Sequence, residues 1–221
     1  TPARSVSWAE VAHIAYVDTA RLPAGMTPGL EGSSTFKAPP ITWSNACHVC
    51  TVEIDRDTGL VEILRYVVSE DCGVMINPMV VEGQVAGGVV QGIGGTLLEH
   101  IVYDADGNPL TTTFMDYLVP TATEVPVIEY GHIETPSPTP GGHKGMGEGG
   151  AIGSPPCVFN AVADALALVG AHIDRTPLGP DAILTAAALA AYLLLGEEGA
   201  RRRDVMSLAF WGFAISTVFW S

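Results

Sequence analysis

The chain has 221 residues, 48% of them hydrophobic and 15% charged, with a formal net charge of −14. That composition excludes a disordered chain, and the acidic excess excludes nucleic acid as a partner, because phosphate binding needs clustered Lys and Arg. The one basic cluster is Arg201-Arg202-Arg203, and the length allows one good core or two small ones.

The first residue is threonine, and the opening Thr1-Pro-Ala-Arg-Ser-Val-Ser-Trp8 reads as the interior of something longer. Ser7 followed three residues later by Glu10 is an N-cap pattern, which predicts a short helix over Trp8–Tyr16. Residues 22–45 are rich in Gly, Pro, Ser and Thr and read as an irregular connection. Residues 1–45 are therefore expected to be an irregular N-terminal segment of a truncated domain.

Residues 47–55 and 60–69 read as two strands around the turn Asp55-Arg-Asp-Thr-Gly59, a hairpin pattern. Cys47 and Cys50 form a C-x-x-C, but zinc needs two further ligands and no second pair exists. On a strand, positions three apart point to opposite faces, so buried free thiols are expected instead. No secretory signal is visible, and a reducing cytoplasm is the expected location.

Asn77 can cap and Pro78 can open a helix predicted over residues 79–100. Gly83, Gly87, Gln91 and Gly95 are spaced by four and share one face of it. Each helical glycine costs about 1 kcal/mol relative to alanine. Either a flat cofactor or another backbone approaches that face, or it serves tight helix packing. Residues 104–108 form a turn, and residues 117–120 and 127–133 read as strands.

Residues 143–154 read His-Lys-Gly-Met-Gly-Glu-Gly-Gly-Ala-Ile-Gly-Ser. Glu148 is the one carboxylate there, and the bare backbone from Gly149 to Gly153 could grip an anion. Gly145, Gly147 and Gly150 satisfy G-x-G-x-x-G, but alternating prolines precede them where a dinucleotide fingerprint needs a strand. A plain glycine turn and a catalytic carboxylate beside a cofactor are the other readings. Pro155 and Pro156 are expected in the first turn of a helix running to residue 169. Met146 and Ile152 are expected to give Glu148 apolar surroundings. A last helix is predicted over residues 181–195.

Three segments in order, Asp71-Cys-Gly-x-x-Ile-Asn-Pro78, Glu82-Gly-Gln-x-x-Gly-Gly-x-x-Gln-Gly92 and Lys144-Gly-Met-Gly-Glu-Gly149, resemble the large subunit of the molybdenum hydroxylases. This is the xanthine dehydrogenase, aldehyde oxidase and aerobic carbon monoxide dehydrogenase group. The resemblance runs from about Ser44 to Thr185 and covers the second molybdopterin-binding domain, at the C-terminal end of that subunit. It implies an α+β fold, with residues 46–185 as the domain. It also implies a molybdopterin cofactor carrying molybdenum, of the cytosine dinucleotide form, with Glu148 as the essential base. Gln84, Gly88, Gln91 and Gly92, and Gly149, Gly150 and Ala151, would line the cofactor.

The implied reaction oxidises an aldehyde, an N-heterocycle or carbon monoxide with oxygen from water. Electrons would leave through 2Fe–2S clusters on a small subunit to FAD on a medium subunit. The rest of the large subunit and a small-molecule substrate are the other implied partners. The alternative is an inactive fragment serving only as a structural and cofactor-binding module. Residues 186–221 depart from the family as an apolar extension. The uncharged run 205–220 is shorter than the roughly 20 residues needed to span a bilayer. A frameshifted or mis-joined end is the expected explanation, with a membrane partner not expected.

Overall fold

A computed structural model describes residues 5–37 and 42–202. The apolar run 205–220 lies outside the described residues. The chain divides into two compact units, Thr1–Ala38 and Pro39–Ser221.

In the first unit, α1 (Trp8–Tyr16) starts where the cap pattern placed it, with Ser7 Oγ accepting from the Glu10 N–H at 3.2 Å. Glu10 does not reach back to complete a capping box; its carboxylate pairs with Arg21 at 3.3 Å. The irregular chain that follows is tied back by the Gly29 N–H, which donates to the Ala15 carbonyl at 2.8 Å.

The second unit is built on the hairpin. Strands β1 (Asn45–Ile54) and β2 (Val61–Asp71) are antiparallel, with Cys50 opposite Tyr66. Asp55 makes the turn, its Oδ1 accepting from the N–H groups of Asp57 and Thr58. Strand β3 (Ile128–His132) pairs parallel to β2, giving a mixed sheet in the order β1-β2-β3. Helix α2 (Pro78–Leu97) opens at Pro78 as expected, with Asn77 Oδ1 accepting from the Val80 N–H. Helix α3 (Gly149–Ala167) packs against α2 and β1, and α4 (Pro180–Arg202) follows.

The core lies between β2, α2 and α3. Ile63, Tyr66 and Val68 meet Val85, Val89, Ile93 and Val158 there. A second cluster joins Val162 and Leu166 of α3 to Leu178, Ile183 and Ala190. The architecture is α+β, as expected.

Three expectations change. Helix α3 starts at Gly149, so Pro155 and Pro156 lie inside it and not in its first turn. The reason is that Ala151 and Ile152 already donate to the Glu148 carbonyl, at 3.0 and 3.2 Å, and the loop coils six residues before its prolines. Residues 117–120 are not a strand. A turn closes there, the Tyr117 N–H donating to the Thr113 carbonyl at 2.8 Å, and the Tyr117 hydroxyl is hydrogen-bonded to Glu99. Cys47 is exposed, not buried. Cys50 turns the other way, its thiol donating to the Cys157 carbonyl at 3.5 Å. Burial, with Cys157 nearby, pushes that thiol up to about 12, so it is a poor redox nucleophile.

Candidate functional site

The site forms where α2 meets the start of α3. The contact is close because glycines face each other. A Cβ on Gly88 would lie 2.5 Å from the Ala151 nitrogen, and one on Gly92 would lie 2.8 Å from Pro155 Cδ. Ser154 fills the remaining gap, its hydroxyl donating to the Val89 carbonyl at 3.1 Å. The adjoining stripe of α2 behaves differently. At Gly83, Gly87 and Gly95 an added Cβ would meet no heavy atom within 4 Å. The glycine face read from spacing is therefore open, and tight helix packing belongs to the neighbouring positions 88 and 92.

The loop before α3 is clamped at its base. Asp71, at the end of β2, receives Lys144 Nζ at 3.0 Å. Its Oδ1 accepts from the N–H groups of Gly73 and Thr135, at 2.9 and 3.2 Å. Hydrogen bonds from Thr135 first and the Gly73 N–H next, with Lys144 beside them, hold the Asp71 carboxyl well below the usual carboxylate range. The Lys144 N–H also donates to the Cys72 carbonyl at 2.7 Å. At the loop's far end, Gln84 Nε2 donates to the Gly147 carbonyl at 3.1 Å. The loop thus hangs between β2 and α2 and delivers Glu148 to the N-cap of α3.

Glu148 occupies that cap without using its side chain to cap. Its carboxylate is exposed and lines a cavity of about 430 Å³ together with Gln84, Gly87, Gly88, Gln91, Gly147, Ala151 and Ile152. The apolar surroundings expected for it are not built from this chain. Met146 turns inward and is 9% exposed, and Ile152 is 74% exposed.

Of the residues expected at the site, Glu148, Gln84, Gly88, Gln91 and Ala151 share the cavity. Gly92 lies under Ser154 and Pro155, and Gly150 lies against the backbone of Val85 and Val89. Both are in the helix contact and not on the cavity wall. Gly149 and Gly150 stand at the open N-terminus of α3, ahead of the first intrahelical donors. Gly153 is within the helix, so fewer N–H groups face outward than a bare loop would offer.

The clamp at Asp71 and Lys144 was missed, although each residue opens one of the motifs. The cue was a lone lysine in a glycine-rich loop. Among the described residues, no group of three or more His, Cys, Asp and Glu side chains is placed to hold a metal ion. No helix among the described residues is long and apolar enough to cross a membrane.

Residues 1–126 match the family described as "Molybdopterin cofactor-binding domain". The nicotine 6-hydroxylase large subunit of Paenarthrobacter nicotinovorans is 47% identical over 182 residues, 82% of this chain and 22% of that protein. An alignment of that length in this chain necessarily crosses Glu148. The carbon monoxide dehydrogenase large chain of Hydrogenophaga pseudoflava is 42% identical over 166 residues, 74% of this chain and 21% of that one. The crystal structure of quinoline 2-oxidoreductase from Pseudomonas putida 86 superposes with a TM-score of 0.76 at 45% identity. It covers 85% of this chain and 24% of its own. The chain therefore spans about a fifth of the length of the curated relatives it matches.

Proposed function

This chain belongs to the molybdopterin cofactor-binding domain family, as part of a molybdenum hydroxylase large subunit, and from that premise we propose that the cleft between α2 and the start of α3 holds part of a molybdenum pterin cofactor, with Glu148 as its acid–base residue. The observation that carries the reading is convergence. Gln84, Gly88 and Gln91 from one motif and Glu148 from another, far along the chain, border a single cavity.

The walls fit a flat polar group. A Cβ added at Gly87 or Gly147 would meet no heavy atom within 4 Å. Gln91 offers an amide, and Gln84 is already committed to the loop carbonyl. The start of α3 borders the cavity through Glu148 and Ala151, and a helix N-terminus is a setting that suits an anion such as phosphate. We assign the cytosine dinucleotide form, with iron–sulfur and FAD-carrying partner subunits, as the finer reading.

When bound, the cofactor would supply a two-electron sink and activate water as the oxygen source. The protein's part is to place Glu148. Its carboxylate is free of capping duty and can take a proton within hydrogen-bond reach of the reacting oxygen. The clamp from Asp71 to Lys144 and the bond from Gln84 to Gly147 fix two points of the loop that leads into Glu148. Two of the relatives are named for nicotine and quinoline, both N-heterocycles. An aromatic N-heterocycle is accordingly the substrate class proposed, with aldehydes and carbon monoxide as the comparison substrates.

In the complete large subunit with its partners, Glu148→Gln should keep molybdenum bound while lowering turnover at least ~100-fold, the low end for a positioned acid–base group. Elemental analysis alongside steady-state kinetics decides it. Near-normal turnover in the variant would overturn the assignment.

A further inference from the structure

Under the first turns of α3, on the side of Gly149 and Gly153, the sheet carries polar groups that the proposed reaction does not use. His48 of β1 and Glu70 of β2 are buried, with side chains 3% and 4% exposed. His48 Nδ1 is 2.8 Å from the Tyr66 hydroxyl, and His48 Nε2 is 3.5 Å from Glu70 Oε1. Among the described residues, neither Nε2 nor either Glu70 oxygen has a hydrogen-bond partner. Burial first, with the nearby Cys157 next, pushes the Tyr66 phenol up, so it keeps its proton. The Tyr66 hydroxyl and His48 Nδ1 thus share a hydrogen bond, and Nε2 is turned toward Glu70.

Burying two ionisable groups is unfavourable unless they answer one another, so the pair is costly to keep as mere filling. The two groups also lie against the helix above. At Gly149 an added Cβ would run into the Met146 side chain first, with Glu70 Oε2 next at 3.4 Å. The His48 ring lies 2.5 Å from where a Cβ on Gly153 would stand. Positions 149 and 153 are one turn apart on the same helix face. Neither borders the cavity, unlike Ala151 and Ile152.

We propose that Glu70 and His48 are a positioning pair for the Glu148 turn. Glu70 lies beside the first residue of α3, and the His48 ring takes the space that a side chain at 153 would need. The two together set the height and tilt at which α3 begins, and so the aim of Glu148. Glycine at 153 answers to His48 and not to the cofactor. The role rests on reading Glu148 as the acid–base residue.

The test uses the complete, cofactor-loaded large subunit. In Glu70→Gln, which keeps the shape and removes the charge, turnover per bound molybdenum should fall roughly tenfold to hundredfold, as for a small misplacement of a reacting group. KM and molybdenum content should hold. Unchanged turnover per molybdenum would overturn the proposal, as would a loss explained wholly by lost molybdenum. Gly153→Ala and His48→Ala are then measured singly and together by thermal midpoint. The combined loss should be smaller than the sum of the single losses, because removing the ring admits the new methyl. Additive losses would overturn the seating of α3 on His48. If the parent subunit holds no molybdenum, the functional reading fails, while the midpoint cycle still decides the seating.

Discussion

Gly87 and Gly88 are neighbours in sequence and opposites in duty. A Cβ on Gly87 meets nothing, whereas one on Gly88 runs into the Gly150 and Ala151 backbone. Gly87→Leu should leave the thermal midpoint of the cofactor-free large subunit nearly unchanged and lower its molybdenum content. Gly88→Leu should lower the midpoint itself, since overpacking costs about 1–3 kcal/mol. The pair of variants is read by melting without cofactor and metal analysis with it. A destabilised Gly87→Leu apoprotein would place packing, not the cofactor, at position 87. Asp71 supplies a second residue-scale expectation. Its carboxyl is held below its ordinary value, so the stability it contributes is complete above about 3.9, the unfolded value. That contribution is lost as pH falls further, through the depressed folded value. Asp71→Asn should therefore melt lower at neutral pH and show a shallower loss of midpoint with acid than the parent.

At the scale of elements, what was legible followed local chemistry. Ser7 capped α1, Asn77 and Pro78 opened α2, and Asp55 closed the hairpin turn, each by bonds within a few residues. The elements misread were set by distant contacts. Residues 149–154 coil early, in a position where Gly88 and Gly150 let the two backbones meet. No local signal announces that, and two prolines argue against it. Residues 117–120 look like a strand in isolation, yet no neighbouring strand receives them and Tyr117 turns to Glu99. The site follows the same division. Glu148 and the α2 face were readable from motif and spacing. The clamp from Asp71 to Lys144 and the buried pair at His48 and Glu70 exist only once β1, β2 and the loop have met. The clamp's worth is measurable: Lys144→Met should raise hydrogen exchange at the Lys144 N–H, which bonds the Cys72 carbonyl, while α1 stays as protected as before.

At the scale of the whole chain, the shortfall in length matters most. The chain spans about a fifth of the relatives it matches, and Phe114 and Met115 are 80% and 86% exposed. Alone, the 221-residue chain is expected neither to retain molybdenum nor to reduce a dye with any N-heterocycle. Stoichiometric metal together with dye reduction would contradict this. The parallel pairing of β2 with β3 adds a consequence in time. The hairpin of β1 and β2 closes over a short turn and can form in microseconds. Strand β3 can join only after residues 72–127, α2 included, have been gathered into a long loop, an entropic cost settled late in folding. Lys144 and Glu148 come later still along the chain than β3. Competence to take up a cofactor should therefore emerge last during refolding, lagging behind the hairpin and α2, and a newly made chain would pass through a period with a formed sheet and a half-built cleft.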